Sequence, residues 1–201
     1  MSESPSDLAH TRSFFAPKAA EWDEKFPDDG PVYAAAVAEL ALPVGGVVLD
    51  AGCGTARAAV ALREAVGPGG LVLGADATPE MLAAAARAGR QSLASLLLTD
   101  TARLPLPGGV VDAVFAAGLI PHVPDPLAAL TELARVTRPG GRLALFHPIS
   151  RAALAARHGK VPGPDDVMDP ANIRPALDAA GWSVDSIEDD SRYLALAHRA
   201  G

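Results

Sequence analysis

Two carboxylates and a pair of glycines stand at the ends of two apolar runs. Asp50 ends the run VVLD and is followed by Gly52 and Gly54, and Asp76 ends the next run, LVLGAD. Glycine has no Cβ, so the backbone can turn sharply at these positions and approach a ligand closely. A helical pattern follows, and a helix N-terminus favours a bound carboxylate or phosphate. The stretch therefore predicts a ligand-binding loop, with Asp50 placed to face a cationic group.

The same loop weighs against a dinucleotide as its ligand. The dinucleotide pattern G-x-G-x-x-G needs a third small residue for close packing of helix on strand, and that position is Arg57. An acid two residues before the first glycine is also foreign to that pattern. An NAD(P)-dependent oxidoreductase is therefore the less favoured alternative.

Two histidines follow later apolar runs and are the candidates for proton transfer. His122 comes after DAVFAAG, and His147 ends RLALFH. Histidine has an unperturbed pKa of about 6.5, so either ring can take a proton near neutral pH. We interpret His122 as a candidate general base or as part of the ligand pocket wall, and His147 as a candidate substrate contact. Arg151 is either an anion clamp or a solvated side chain, and Cys53 is predicted to be a small packed residue.

Alternating apolar strands and alanine-rich helices are the elements that must position these residues. Strands are predicted at residues 46–52, 71–76, 95–98, 112–118 and 142–148, and an antiparallel hairpin at 182–199. This alternation is typical of a doubly wound α/β fold, in which ligands bind beyond the carboxyl ends of the strands.

Three helices carry clear signals at their ends or on their faces. Thr78 is the predicted N-cap of the helix at 78–89. Asp125 caps a helix whose buried stripe is Leu127, Leu130, Leu133 and Val136, and which Pro139, Gly140 and Gly141 end. In a later helix Ile173, Leu177 and Ala180 share one face.

Composition limits the classes of function that the chain can have. It has 201 residues, 49% of them hydrophobic, which suits a single domain with a full core. A net charge of −7 weighs against binding to nucleic-acid phosphates. One cysteine excludes an internal disulfide, and no apolar run is long enough to cross a membrane. Because the N-terminus also lacks a signal-peptide pattern, we expect a cytoplasmic protein.

Two segments outside the alternating elements are candidate covers for the site. The N-terminal residues concentrate aromatic side chains in an aromatic-poor chain: Phe14, Phe15, Trp22, Phe26 and Tyr33. We predict that residues 1–42 form a helical cap, with Tyr33 as its contact to the bound ligand, or else a docked helix pair. Residues 46–201 form the Rossmann-like core, in which the irregular stretch 157–170 is a candidate lid or substrate loop.

Several motifs, taken in order, resemble those of one family. VVLDAGCGTAR is similar to the first motif of the class I S-adenosylmethionine (SAM)-dependent methyltransferases, and LVLGADATPEMLAAA to their second. The segment from Thr99 to Leu145 resembles the motifs that follow in that family. The resemblance covers about Val47 to Pro148 and is nearest to the small-molecule branch typified by ubiquinone and menaquinone biosynthesis.

The resemblance implies a fold, a reaction and a set of cofactor contacts. The fold is a Rossmann-like seven-stranded sheet, mostly parallel, with the last strand antiparallel. The reaction is in-line transfer of methyl from SAM to an O, N or C nucleophile of a small molecule, leaving S-adenosylhomocysteine (SAH). Asp76 corresponds to the ribose-binding acid, Met81 lies near adenine, and Asp100 with Thr101 and Ala102 reads adenine. The other implied contacts are Asp50, Gly52, Cys53, Gly54, Thr55, Ala77, Ala117, Gly118 and Leu119.

The chain departs from the family pattern at two positions. Ala56 stands at the family's third glycine, which is tolerated unless that residue has a positive φ. Pro121 precedes His122 where many relatives have Asn or His. A SAM-binding protein without catalysis is the second alternative, because the cofactor residues are present while the sequence identifies no acceptor site. No metal is expected, the expected partner is a small methyl acceptor rather than nucleic acid or membrane, and the chain is a monomer or a homodimer.

Overall fold

The computed structural model describes residues 5–25 and 29–201 and is built around a seven-stranded sheet. Its strands are β1 (Val47–Ala51), β2 (Leu71–Asp76), β3 (Ser95–Leu98), β4 (Val111–Ala117), β5 (Thr137–His147), β6 (Trp182–Asp189) and β7 (Tyr193–Arg199). Their order in the sheet is β3-β2-β1-β4-β5-β7-β6, and β7 alone runs opposite to the other six strands. The predicted α/β fold class, with its antiparallel last strand, is confirmed.

Helices cover both faces of the sheet. Their bounds are α1 (Pro5–Phe15), α2 (Trp22–Lys25), α3 (Gly30–Leu40), α4 (Ala59–Val66), α5 (Pro79–Arg87), α6 (Pro126–Val136), α7 (Arg151–Arg157) and α8 (Pro170–Ala179). Short 3-10 turns cover Ala16–Glu21, Arg90–Ser92 and Ile120–His122. No helix within the described residues is long and apolar enough to cross a membrane.

Each face of the sheet has its own apolar core. On one face α6 and α8 bury leucines such as Leu130 and Leu177, together with Trp182. On the other face α3 and α4 bury Leu40 and Leu62 against the strands. Burial on both sides explains why the strand sequences are nearly continuous apolar runs, as parallel sheets require.

The chain enters β5 five residues earlier than predicted. Thr137 already has an extended backbone, with φ −83° and ψ 137°, and its hydroxyl donates to the Leu133 carbonyl. α6 therefore ends at Val136, and Pro139 to Gly141 belong to the strand instead of ending the helix. The register against β4 shifts between Val111 and Ala113, so the extra residues form an irregularity in the ladder.

The helix-end and helix-face predictions succeed only in part. Asp125 caps α6 as predicted, by accepting from the Ala128 N–H at 3.0 Å. Thr78 precedes α5, but its side chain makes no capping hydrogen bond. Leu127 was predicted to belong to the buried stripe of α6, but it is 45% exposed. The face of α8 is as expected, because Ile173, Leu177 and Ala180 are all buried.

The irregular stretch after α7 is anchored to the rest of the fold near its C-terminal end. Met168 is buried, and the guanidinium of Arg151 lies 3.2 Å from Asp166 and 2.9 Å from Asp169. Arg151 is thus neither a solvated side chain nor free to clamp an anion, because its charge is already paired. A lid role for residues 157–170 stays a prediction.

Candidate active site

A cavity of about 580 Å³ lies at the carboxyl ends of the parallel strands, beneath the N-terminal segment. This volume is typical of a site for a cofactor-sized ligand. The predicted site residues that line it are Tyr33, Asp50, Gly52, Cys53, Gly54, Thr55, Asp76, Ala77, Met81, Asp100, Thr101, Ala117, Gly118, Leu119, His122 and His147. Ala102 does not line it, and its backbone N–H donates to Asp100 at 2.9 Å.

The loop after β1 has left-handed backbone at three positions. Gly52 and Gly54 have φ of 67° and 54°, and a Cβ at Gly52 would lie 2.8 Å from the Leu119 side chain. The positive φ therefore favours glycine at position 52, and a larger residue would also displace the Leu119 side chain. Ala56 also has a positive φ, 57°. A left-handed backbone is strained for alanine, so Ala56 carries a cost that the family's glycine does not.

The carboxyl group of Asp50 is buried without a donor. Asp50 is 2% exposed, and no hydrogen bond reaches its carboxylate from residues 5–25 or 29–201. Burial, followed by the charge of Asp76, raises the pKa of Asp50 to about 8. A neutral carboxyl in an apolar setting that lines a cavity fits a site for a cationic or hydrogen-bonding ligand group.

The carboxylate of Asp76 is held by two backbone N–H groups. Its two oxygens accept from the N–H groups of Gly54 at 2.8 Å and Thr78 at 2.7 Å. Burial raises the pKa of Asp76, and these hydrogen bonds oppose the rise. A carboxylate has about four lone-pair sites, so each oxygen can accept one further hydrogen bond. That capacity matches a pair of neighbouring hydroxyls.

Not every amide of the loop is available to a ligand. The Cys53 N–H donates to the Ala75 carbonyl at 3.0 Å, and the Gly54 N–H is taken by Asp76. The thiol of Cys53 is buried, which raises its pKa and leaves it neutral. Cys53 is thus the packed residue that its sequence position predicts, and it presents no thiolate.

The His122 ring contacts the aromatic residues of α1. It stacks on Phe14 at 5.9 Å and meets Phe15 edge-on at 4.9 Å between ring centroids. Partial burial, together with the nearby charges of His147 and Lys18, lowers the pKa of His122. The imidazole is therefore neutral at pH 7 and can accept a proton.

His147 ends β5 with one ring nitrogen already engaged. Its Nδ1 lies 3.0 Å from the carbonyl oxygen of Ile149 and 3.3 Å from the Ile149 nitrogen. The shorter contact is made when Nδ1 carries the proton, which leaves the lone pair on Nε2. Burial lowers the pKa of His147, so this ring too is neutral at pH 7.

The N-terminal segment is bonded to both sides of the cavity. Arg12 donates from Nε to the Ala77 carbonyl at 2.6 Å, and the Thr11 hydroxyl donates to the His122 carbonyl at 3.1 Å. In α2, Asp23 accepts from the Thr55 hydroxyl and from Arg90, both at 2.6 Å. Phe14, Phe15 and Trp22 line the cavity, whereas Phe26 lies outside the described residues.

Tyr33 approaches the cavity from α3. Its ring packs against Phe146 at 5.0 Å and Phe115 at 6.1 Å, and the Arg57 guanidinium lies 5.6 Å from its centroid. Burial raises the pKa of Tyr33, so its hydroxyl stays protonated and can donate. Arg57, which weighed against a dinucleotide, pairs with Asp29 at 3.2 Å.

Several lining residues carry no motif that sequence reasoning could find. Ile149 and Leu154 bring apolar surface from α7 and the residues before it, and Lys18, Arg157 and His158 bring nitrogen groups. The capping of α7 by Ser150, which accepts from Ala153 N–H, orients this helix. Within residues 5–25 and 29–201, no group of three or more His, Cys, Asp or Glu side chains could hold a metal ion.

The sheet order and the two strand-end acids define the class: a Rossmann-like α/β protein that binds its ligand beyond the carboxyl ends of its strands. A family model described as a methyltransferase domain matches residues 49–145. Demethylmenaquinone methyltransferase of Mycolicibacterium vanbaalenii is 35% identical over 161 residues, which are 68% of this chain and 68% of the relative. The chain belongs to the class I SAM-dependent methyltransferases, and SAM is its cofactor.

Other comparisons agree on the family. A SAM-dependent methyltransferase from Aquifex aeolicus superposes with a TM-score of 0.69 at 26% identity, over 96% of this chain and 99% of that one. Nocamycin O-methyltransferase of Saccharothrix syringae is 38% identical over 110 residues, 53% of this chain and 39% of the relative. For this relative and three others, the chain spans less than half of the relative's length.

Proposed function

We propose that the chain transfers a methyl group from SAM to a small molecule with an O, N or C nucleophile. The observation that carries this proposal is one continuous cavity that joins Asp50 and Asp76 at one part of its wall to two neutral histidines at another. SAM supplies a methyl group on a positively charged sulfur, so the protein has mainly to align the nucleophile and exclude water. Alignment of this kind can lower a barrier by about 7–11 kcal/mol.

The buried acids account for the binding of the cofactor's polar groups. The free oxygen lone pairs of Asp76 are suited to the two ribose hydroxyls, and Asp50 is suited to the ammonium group. Asp50 regains its charge when a cation lies beside it, which removes the cost of burying it alone. We assign adenine contacts to Met81, Asp100 and Thr101, which line the cavity.

The histidines account for the acceptor side. We propose that His122 takes the proton of the nucleophile where that proton must leave, and that His147 contacts the acceptor through Nε2. The aromatic rings of Phe14 and Phe15 contact the His122 ring and restrict its orientation. Two relatives are named for small-molecule acceptors, demethylmenaquinone and nocamycin, which supports an acceptor of that class.

The other candidate function is SAM binding without catalysis. It is favoured by Pro121, which stands where many family members have Asn or His. The two proposals agree on cofactor binding and differ on turnover.

Calorimetric titration with SAM, SAH, NAD⁺ and NADPH tests the cofactor. We expect micromolar affinity for SAM and SAH and none for the nicotinamides, and the reverse result would overturn the proposal. Turnover is then measured with a panel of small acceptors. We expect His122→Ala to retain SAH affinity and lose methyl transfer, whereas unchanged transfer would remove His122 from the mechanism.

A further inference from the structure

A second, smaller cavity of about 30 Å³ adjoins the large one on the side of His147. The two share six lining residues: Gly118, Leu119, Pro121, His147, Ile149 and Leu154. Space of this size holds one or two atoms the size of a water molecule. The small cavity is therefore a side chamber that shares part of its wall with the large cavity and has room for a small group of a ligand.

The polar side chains that line this chamber are those of His147, Arg151 and Tyr193. Tyr193 is 1% exposed, lines the chamber, and its Oη has no hydrogen-bond partner in the described chain. Tyr193 pairs directly with His147 across β5 and β7, so both side chains lie on the same face of the sheet. A buried hydroxyl without a partner is costly, and a ligand that accepts from it removes that cost.

The charges around the chamber select the kind of group that Tyr193 can bind. Arg151 also lines the chamber, but its guanidinium lies within 3.5 Å of three carboxylates, those of Asp166, Asp169 and Asp189. One positive charge against three negative charges disfavours an anion. Burial raises the pKa of Tyr193, so the hydroxyl stays protonated and donates.

We propose that this chamber is a subsite for the methyl acceptor, in which Tyr193 Oη donates a hydrogen bond to a neutral carbonyl oxygen of that molecule. The remaining walls, which include Leu145, Ile149 and Met168, are apolar and contact the carbon atoms that carry the carbonyl. The assignment of the acceptor rests on the proposed function. The geometry of the chamber itself does not depend on it.

The test compares two soluble probes of nearly equal shape. 4-Hydroxyacetophenone carries the carbonyl, and 4-ethylphenol lacks it. Each is titrated by NMR into the full chain, with and without saturating SAH. We expect the ketone to bind about tenfold more tightly in the wild type, which is the effect of one neutral hydrogen bond.

Tyr193→Phe removes only the hydroxyl and breaks no hydrogen bond, so the variant is expected to fold with an unchanged or higher Tm. In this variant the two probes should bind equally. Equal affinities in the wild type, failure of both probes to bind, or a ketone preference that survives in Tyr193→Phe would each overturn the proposal. Absence of SAH binding would instead contradict the proposed function, and the comparison without SAH separates the two failures.

Discussion

At the scale of single residues, Asp76 carries the most specific demand on a ligand. It already binds two backbone N–H groups and has lone pairs left for two hydroxyls. We expect Asp76→Asn to weaken SAH binding roughly 10- to 100-fold, because charge-assisted hydrogen bonds contribute about 1.5–3 kcal/mol. Calorimetric titration with SAH measures the loss.

Asp112→Asn is the matched control for Asp76→Asn. Asp112 accepts from the Val47 N–H at 2.7 Å and from Arg138 at 2.6 Å, and it does not line the cavity. Its amide variant should be less stable and should bind SAH as the wild type does. Equal SAH affinities in Asp76→Asn and Asp112→Asn would remove Asp76 from the cofactor site.

A second residue-scale prediction concerns the two alanines with positive φ. Ala41 (φ 51°) is exposed after α3, whereas Ala56 (φ 57°) is 1% exposed in the core. Glycine relieves about 1–2 kcal/mol of left-handed strain but loses about 0.5–1 kcal/mol to greater freedom of the unfolded chain. At position 56 the glycine variant also loses a buried methyl group, whose burial contributes about 0.8 kcal/mol.

We therefore expect Ala41→Gly to raise Tm by about 2–4 °C and Ala56→Gly to change it by less. Differential scanning calorimetry of both variants measures the comparison. The buried methyl explains how alanine can stand at a left-handed position of the loop. A larger gain at Ala56 than at Ala41 would show that strain in the loop outweighs this packing.

At the scale of elements, the order and type of the strands and helices could be predicted from the sequence, but their boundaries and their contacts could not. Apolar runs bounded by Gly and Pro placed the five parallel strands and the final hairpin. The start of β5 was missed because Thr137 already pairs with Val111, whereas the residues before the next pair, Ala113 with Arg142, have no partner in β4. Local propensity assigns that unpaired part of the strand, Pro139 to Gly141, to a turn. The exposure of Leu127 depends on which helix neighbours α6, and periodicity alone cannot supply that information.

Residues that line the cavity were predictable from the sequence where a motif lies in one stretch of chain, and were missed where distant segments meet. Asp50 and Asp76 follow adjacent strands, and parallel strands bring their carboxyl ends to one edge. Tyr193 and Leu154 reach the neighbourhood of His147 through an antiparallel strand and a short helix. Nothing in the spacing of these residues along the chain indicates that proximity.

The element that closes the cavity gives the third prediction. α1 is joined to the wall by the bond from Arg12 to the Ala77 carbonyl, next to Asp76. Loss of one such bond costs about 0.5–1.5 kcal/mol. We expect Arg12→Ala to weaken SAH binding about three- to tenfold, chiefly through faster dissociation. Stopped-flow displacement of SAH measures the rate.

The control for Arg12→Ala is Arg87→Ala, which removes an exposed arginine from the last turn of α5. Both variants lose one positive charge, so a general electrostatic effect would appear in both. Equal dissociation rates in the two variants would show that α1 does not retain the ligand.

At the scale of the whole molecule, the buried site makes stability depend on pH. Asp50 has a pKa of about 8 in the fold, because of burial and then the charge of Asp76, against about 4 in an unfolded chain. Between these values the folded protein binds more protons than the unfolded one. The contribution of Asp50 to the free energy of unfolding is therefore greatest below pH 4 and is lost as the pH rises towards 8.

The last prediction compares the wild type with Asp50→Asn across this pH range. The amide cannot ionise, so the variant lacks this loss of stability, and the Tm of the wild type should fall relative to it by on the order of 5–10 °C between pH 5 and pH 8. Repulsion within a chain of net charge −7 acts on both proteins, and the comparison removes it. Saturating SAH should reduce the difference, because an ammonium group beside Asp50 stabilises the carboxylate. Parallel Tm curves without SAH would mean that Asp50 is ionised in the free protein and that its burial is compensated by another group.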